Sequence, residues 1–258
     1  MANNAHKPVI FLAFANEQDN QAGYLRKLPE EARRLRKVLD LPECPYELAF
    51  DQNITIDELI DGLRQHRQQL AIFHYGGHAG SFGLLLESAN GHSEIAYAGG
   101  LIKLLAQQPP PYLVFLNGCS TQQEAQALLK AGIPVVIATD EAIEDEAALQ
   151  FATNFYQELI KDATIAEAFN RAEAVLNIKG DSRQRGFFYR IKEAVPDSPP
   201  WKLYYIDAEA IQRRLVDIIK DPFFGLPPLP LLDLPVQPFL GLQRFERKHA
   251  EIFFGRGI

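Results

Sequence analysis

Four short apolar runs organise this chain: Val9-Ile10-Phe11-Leu12-Ala13, Leu70-Ala71-Ile72-Phe73, Tyr112-Leu113-Val114-Phe115-Leu116, and residues 133–138. Their length and their branched or aromatic side chains predict strands buried on both faces. Helical patterns fall between them. Residues 28–40 place Leu28, Ala32, Leu35 and Leu39 on one face, and Pro42 stops that helix. Thr55 opens another, with Glu58 three residues on in the pattern of a capping box and Ile56, Leu59, Ile60 and Leu63 facing inward. Strands alternating with helices at these intervals imply an α/β fold: a mostly parallel sheet with helices on both faces.

The remaining elements follow the same logic. Residues 46–50 read as a strand, 83–95 as a loop or small hairpin, 101–105 as a short helix, and 122–131 as a longer one. A helix follows Asp145 to about residue 161, and Thr164 with Glu167 caps another to about residue 177. Late strands are predicted over 186–191 and 202–206, the second at a sheet edge because Pro199-Pro200 precedes it. Residues 208–219 read as helical. Six prolines between residues 221 and 238 forbid helix or central strand, so that stretch is a semi-rigid extended linker. The tail, 239–258, is helical again.

Composition removes several classes of function. The chain has 258 residues and a formal net charge of -7, which argues against nucleic acid or an anionic membrane as the main partner. No apolar run approaches the length of a membrane span, and the polar start, Met1 to Lys7, has no secretory h-region. With only Cys44 and Cys119 there is no disulfide framework, which fits a reduced, cytoplasmic protein.

Two strings carry the chemistry: His74-Tyr75-Gly76-Gly77-His78-Ala79-Gly80 and Asn117-Gly118-Cys119-Ser120-Thr121. Each follows a predicted buried strand, and residues just past the carboxyl ends of parallel strands gather in one crevice. Cys119, after a strand and before a helix start, is placed for a lowered pKa and nucleophilic attack. Gly118 leaves room for a substrate carbonyl to approach. His78, among glycines that weaken a strand, reads as its base; His74, inside the strand, reads as a hydrogen-bonded core residue. Taken alone, Cys119 could equally be a small buried filler at a strand end.

Other candidates are weaker. His74 and His78 straddle a turn and nothing completes a tetrahedral metal set, so no metal and no cofactor are expected. The glycines do not form a phosphate loop. Asp140, Glu141 and Asp145 follow the strand over 133–138. They read either as a solvated turn with Asp145 as a helix N-cap, or as the wall of a pocket selecting a basic side chain. Lys179, Arg183, Arg185 and Arg190 form a basic patch that reads as solvated.

At Phe73-His74-Tyr75-Gly76-Gly77-His78 and Val114-Phe115-Leu116-Asn117-Gly118-Cys119-Ser120-Thr121, the sequence resembles the CHAT family, caspase-like cysteine proteases within the caspase, separase and gingipain group. Residues 132–138, 151–159 and Pro200-Trp201-Lys202-Leu203-Tyr204 resemble it too. The resemblance implies a caspase-like three-layer α/β/α fold, with His78 as base, Cys119 as nucleophile and no third triad member. It implies an oxyanion hole from the backbone N–H groups of Cys119 and Ala79, the latter standing where caspases carry glycine. The substrate implied is a protein or peptide.

The tail, Pro238-Phe239-Leu240-Gly241-Leu242-Gln243-Arg244-Phe245 with Ala250-Glu251-Ile252-Phe253-Phe254-Gly255-Arg256, resembles the entry segment of STAND-type signalling NTPases. The expected organisation is a protease domain over 1–206, a helix and proline-rich linker over 207–238, and a truncated NTPase entry segment over 239–258. The implied partner is a C-terminal NTPase and sensor module of a longer chain, as in prokaryotic defence and cell death, with oligomerisation on activation. Two other classes stay open: a catalytically silent CHAT-like docking module, and a TIR-like domain that would leave His78 and Cys119 unexplained.

Overall fold

Every residue of β1 (Val9–Ala15) is buried, because the strand lies between two helical layers and has no solvent face. A computed structural model describes residues 7–16, 23–42, 44–80, 83–88, 93–107, 109, 111–179, 200–221 and 224. The chain divides into two compact units, Met1–Leu226 and Pro227–Ile258, and all described residues belong to the first.

After β1 come α1 (Leu28–Leu39), β2 (Glu47–Gln52), α2 (Ile56–Gln65) and β3 (Leu70–Gly77). A small excursion follows, β4 (Ala79–Gly80), β5 (Gly83–Glu87) and β6 (Ser93–Tyr97), leading into α3 (Ala98–Ala106). Then come β7 (Leu113–Asn117), α4 (Gln122–Lys130), β8 (Val135–Thr139), α5 (Asp145–Leu159), α6 (Ile165–Lys179), β9 (Trp201–Tyr205) and α7 (Leu215–Ile219). The main sheet has the order β2-β1-β3-β7-β8-β9; β9 alone runs antiparallel, at the edge where its prolines placed it.

The alternation of β1 defines the layers. Ile10, Leu12 and Phe14 meet Leu28, Leu35 and Leu39 of α1 and Phe151, Phe155 and Leu159 of α5. Val9, Phe11 and Ala13 turn to the other face, toward Leu59 and Leu63 of α2, Leu105 of α3 and Leu128 of α4. This is the expected three-layer α/β/α arrangement. Both predicted capping boxes form: Thr55 with Glu58, and Thr164, whose N–H donates to Glu167 at 3.0 Å while Glu167 N–H donates back at 3.1 Å.

Two elements differ from expectation, and a third is extended. The hairpin read over 83–95 forms as β5 and β6 and is widened by β4 into a three-stranded antiparallel sheet, while α3 begins at Ala98 rather than residue 101. The helix read over 208–219 is a 3-10 turn, Ala210–Gln212, followed by α7. Asp207 accepts from Ala210 N–H and Asp217 from Arg214 N–H, so two separate caps start two short elements. Ala210, Leu215 and Ile218 join the core on the α5 side. The strand read over 186–191, with Arg183, Arg185 and Arg190, and the stretch 225–258 lie outside the described residues. Among the described residues no helix is long and apolar enough to cross a membrane.

Candidate active site

Parallel pairing sets the site. β3 and β7 are neighbours, with Gly76 opposite Asn117, so His78 and Cys119 each stand two residues past the same rung. Strands in a sheet lie about 4.8 Å apart. The turns are closer still: a Cβ on Gly118 would lie 2.7 Å from Gly77 O and 2.8 Å from Ala79 Cβ. Only glycine fits there. The space read from sequence as room for a substrate carbonyl is therefore filled by the histidine turn itself.

His78 is half-buried and held from two sides. Its carbonyl accepts from Leu85 N–H at 2.9 Å and from the Tyr75 hydroxyl at 2.7 Å. Burial pushes the Tyr75 phenol well above its ordinary pKa, so it stays a donor. On the ring, Nε2 hydrogen-bonds to Gly23 O in the segment between β1 and α1. A carbonyl can only accept, so Nε2 donates to it, and in the imidazole form Nδ1 is the nitrogen left as acceptor. His74 is fully buried, as expected of a core residue.

Cys119 is a free, half-buried thiol. Its turn is pinned by the neighbouring strand: the Thr139 hydroxyl donates to Gly118 O, and Thr139 N–H donates to the Thr121 hydroxyl at 3.0 Å. Ser120 has φ 53, in the left-handed region that side chains avoid, and its N–H donates to Glu141 O at 3.2 Å. Thr121 is the N-cap of α4, but its hydroxyl makes no cap bond because it is spent on that strand. Among the described residues Cys119 N–H has no backbone acceptor. Ala79 N lies 3.4 Å from the position of a Gly118 Cβ, so both expected oxyanion donors belong to the same pair of interlocked turns.

The three carboxylates after β8 go separate ways. Asp140 is 3.8 Å from Lys202 Nζ, and its N–H donates to Pro200 O. Glu141 is exposed, with its carbonyl holding Ser120. Asp145 is the first residue of α5 and not its N-cap, which is Glu144. The Asp145 carboxylate instead accepts Lys27 N–H at 2.6 Å, at the start of α1, while burial holds its pKa above the ordinary value. Beyond β1 and β2 a cleft of about 440 Å³ opens, lined by Phe14, Asn16, Tyr24, Pro29 and Asn53 among others. Tyr24 follows Gly23, so the cleft adjoins the anchor of His78. Among the described residues no cluster of three metal-ligating side chains occurs.

The sequence profile of the CHAT domain matches residues 1–205. The chain belongs to the CHAT family. No curated protein matches it. Solved structures similar to this CHAT domain include a secreted C11 cysteine protease from Bacteroides thetaiotaomicron, at 11% identity and TM-score 0.49, covering 71% of this chain and 62% of that one. Pro-sf-caspase-1 is similar at 12% identity and TM-score 0.46, covering 79% and 92%. RgpB of Porphyromonas gingivalis is similar at 14% identity and TM-score 0.42, covering 64% and 41%. The chain thus spans less than two thirds of the C11 and RgpB chains.

Sequence reasoning singled out His78, Cys119 and Ala79, which the fold brings to one pair of turns, and passed over Gly23, Tyr75 and Thr139, which hold those turns. Gly23 acts through a backbone carbonyl, which every residue has, so no side-chain signal marks it. Tyr75 and Thr139 read as ordinary strand residues; their hydroxyls matter only through where they end.

Proposed function

We propose that the chain is a cysteine endopeptidase of caspase-like type. His78 Nδ1 takes the Cys119 thiol proton, and the thiolate attacks the scissile carbonyl. The N–H groups of Cys119 and Ala79 receive the oxyanion. As the intermediate collapses the C–N bond breaks, and the imidazolium returns its proton to the leaving amine. Water, deprotonated by His78, then attacks the thioester; the acid product leaves and the proton returns to sulfur.

The observation that carries this reading is the matched height of His78 and Cys119 on β3 and β7, with the ring already anchored through Nε2 to Gly23. Nδ1 is thereby the nitrogen left for the thiol. Of the carboxylates, Asp140 faces Lys202 and Asp145 caps α1, so a preference for basic residues before the scissile bond rests on the exposed Glu141. The tail's resemblance supports an effector role: a protease joined by the proline-rich stretch to a sensor NTPase, switched on by multimerisation in cytoplasmic defence or cell-death signalling.

The test is cleavage of a peptide library by the chain, free and fused to a multimerising scaffold, with Cys119→Ala and His78→Ala alongside. Wild type is expected to cleave when multimerised. Each variant is expected to lose roughly a thousandfold or more, and the double variant no more than either, because the two residues act as one unit. Cleavage surviving in Cys119→Ala overturns the reading; a folded multimer that cleaves nothing favours a silent docking module.

A further inference from the structure

Beneath the two turns runs a polar chain that peptide cleavage as written above leaves unused. Glu31 of α1, His74 of β3, Asn117 of β7, Tyr156 of α5 and Trp201 of β9 are all at most 3% exposed. Trp201 Nε1–H, which can only donate, gives to Asn117 Oδ1 at 3.0 Å. Asn117 Nδ2 donates to Glu31 Oε1 at 2.7 Å and to Ala148 O at 3.2 Å. Those partners permit one orientation of the amide. On the far side of Glu31, His74 Nε2 stands 3.5 Å from Oε1, and His74 Nδ1 lies 3.3 Å from the Tyr156 hydroxyl. Burial, aided by the charge of Glu31, holds the Tyr156 phenol well above its ordinary pKa. The Tyr156 hydroxyl and His74 Nδ1 thus share a buried hydrogen bond, while His74 Nε2, facing Glu31, makes no hydrogen bond among the described residues. From the start of α5, Asp145 also feels the charge of Glu31.

A buried carboxylate braced in this way is no more stabilising than apolar packing of the same volume. What it supplies is placement. The chain of bonds ends one residue before Gly118 and two before Cys119. Trp201 also begins the strand whose preceding residue, Pro200, accepts Asp140 N–H, while the next residue on, Glu141, holds Ser120 N–H through its carbonyl. The start of β9 is thus tied to both flanks of Cys119: to Asn117 before it and, through the turn after β8, to Ser120 beyond it.

We propose that Asn117, braced by Glu31 and Trp201, is a positioning residue that sets the height and direction of Cys119 relative to His78. The proposal rests on the peptidase reading of that pair. The test is the rate of iodoacetamide alkylation of Cys119 against Cys44, mapped by mass spectrometry across the pH range where thiols and imidazoles titrate, in the full chain.

Trp201→Phe removes the indole N–H and keeps a ring stacked on Phe151, now 4.5 Å away at 9°. It is expected to slow Cys119 alkylation near neutral pH roughly tenfold and to change the shape of its pH profile, with Cys44 unchanged. Asn117→Ala is expected to lose at least as much. Glu31→Gln, whose amide oxygen still accepts from Asn117, is expected to lose less. Folded Trp201→Phe with the wild-type profile overturns the positioning role and leaves the peptidase reading standing; that variant decides the matter if Asn117→Ala does not fold. A wild-type Cys119 no faster than Cys44 removes the peptidase reading and the positioning role together.

Discussion

The histidine turn and the cysteine turn reach the same point by different means. The first is held largely by backbone groups: Gly23 O grips the ring, Leu85 N–H grips the carbonyl, and the Tyr75 hydroxyl donates to the same carbonyl. The second is held mainly by side chains, the hydroxyls of Thr139 and Thr121 and the amide of Asn117, beside one backbone bond from Ser120 N–H to Glu141 O. The difference teaches where each can be altered. The cysteine turn is open to point substitution at its supports, whereas at the histidine turn Gly23 and Leu85 act through backbone groups that survive substitution and only the Tyr75 hydroxyl can be removed.

Among the residues that hold the turns, the largest effect is expected where the two turns touch. Gly118→Ala drives a methyl into Gly77 O and Ala79, backbone that cannot swing aside. Peptide cleavage is expected to fall about a hundredfold or more, with a lowered unfolding midpoint. Unchanged kinetics would mean that the turns are not interlocked.

Next is Tyr75→Phe, which strips the phenol from both His78 O, at 2.7 Å, and Leu85 O, at 2.6 Å. Denaturant unfolding is expected to show a loss of about 1–3 kcal/mol. Cleavage is expected to fall further than stability alone explains. Thr139→Val is expected to cost about 1–2 kcal/mol, because Gly118 O, buried, loses its donor. Thr139→Ser, which keeps the hydroxyl, is expected to recover most of that. Equal losses in Val and Ser would assign the effect to packing and weaken the contrast between the turns. The smallest effect belongs to Ser120→Gly. Relief of the left-handed backbone offsets added chain entropy, so stability is expected to move by about 1 kcal/mol or less, read from the thermal midpoint.

This contrast also explains what could be read beforehand. The layers were legible because β1, β3, β7 and β8 are buried on both faces and so are continuously apolar. His78 and Cys119 were legible because each follows such a run. The small sheet β4-β5-β6 was legible only as the hairpin of β5 and β6, since Gly80 and Gly83 interrupt its start and its strands are short. Glu31 was hidden as one acidic residue in the first turn of a helix, where helices favour acids anyway. Nothing local distinguishes it from the half-buried Glu30 beside it, which pairs with Arg34; only the fold turns Glu31 toward Asn117.

The order β2-β1-β3-β7-β8-β9 makes the two chemistry-bearing strands the innermost pair. Amide protons in such strands exchange with solvent only when most of the domain opens, while rim elements exchange by small, frequent excursions. The sulfur and the imidazole are therefore spaced by the part of the sheet that breathes least. On the peptidase reading, the spacing of the two reacting groups would therefore not depend on the rim elements.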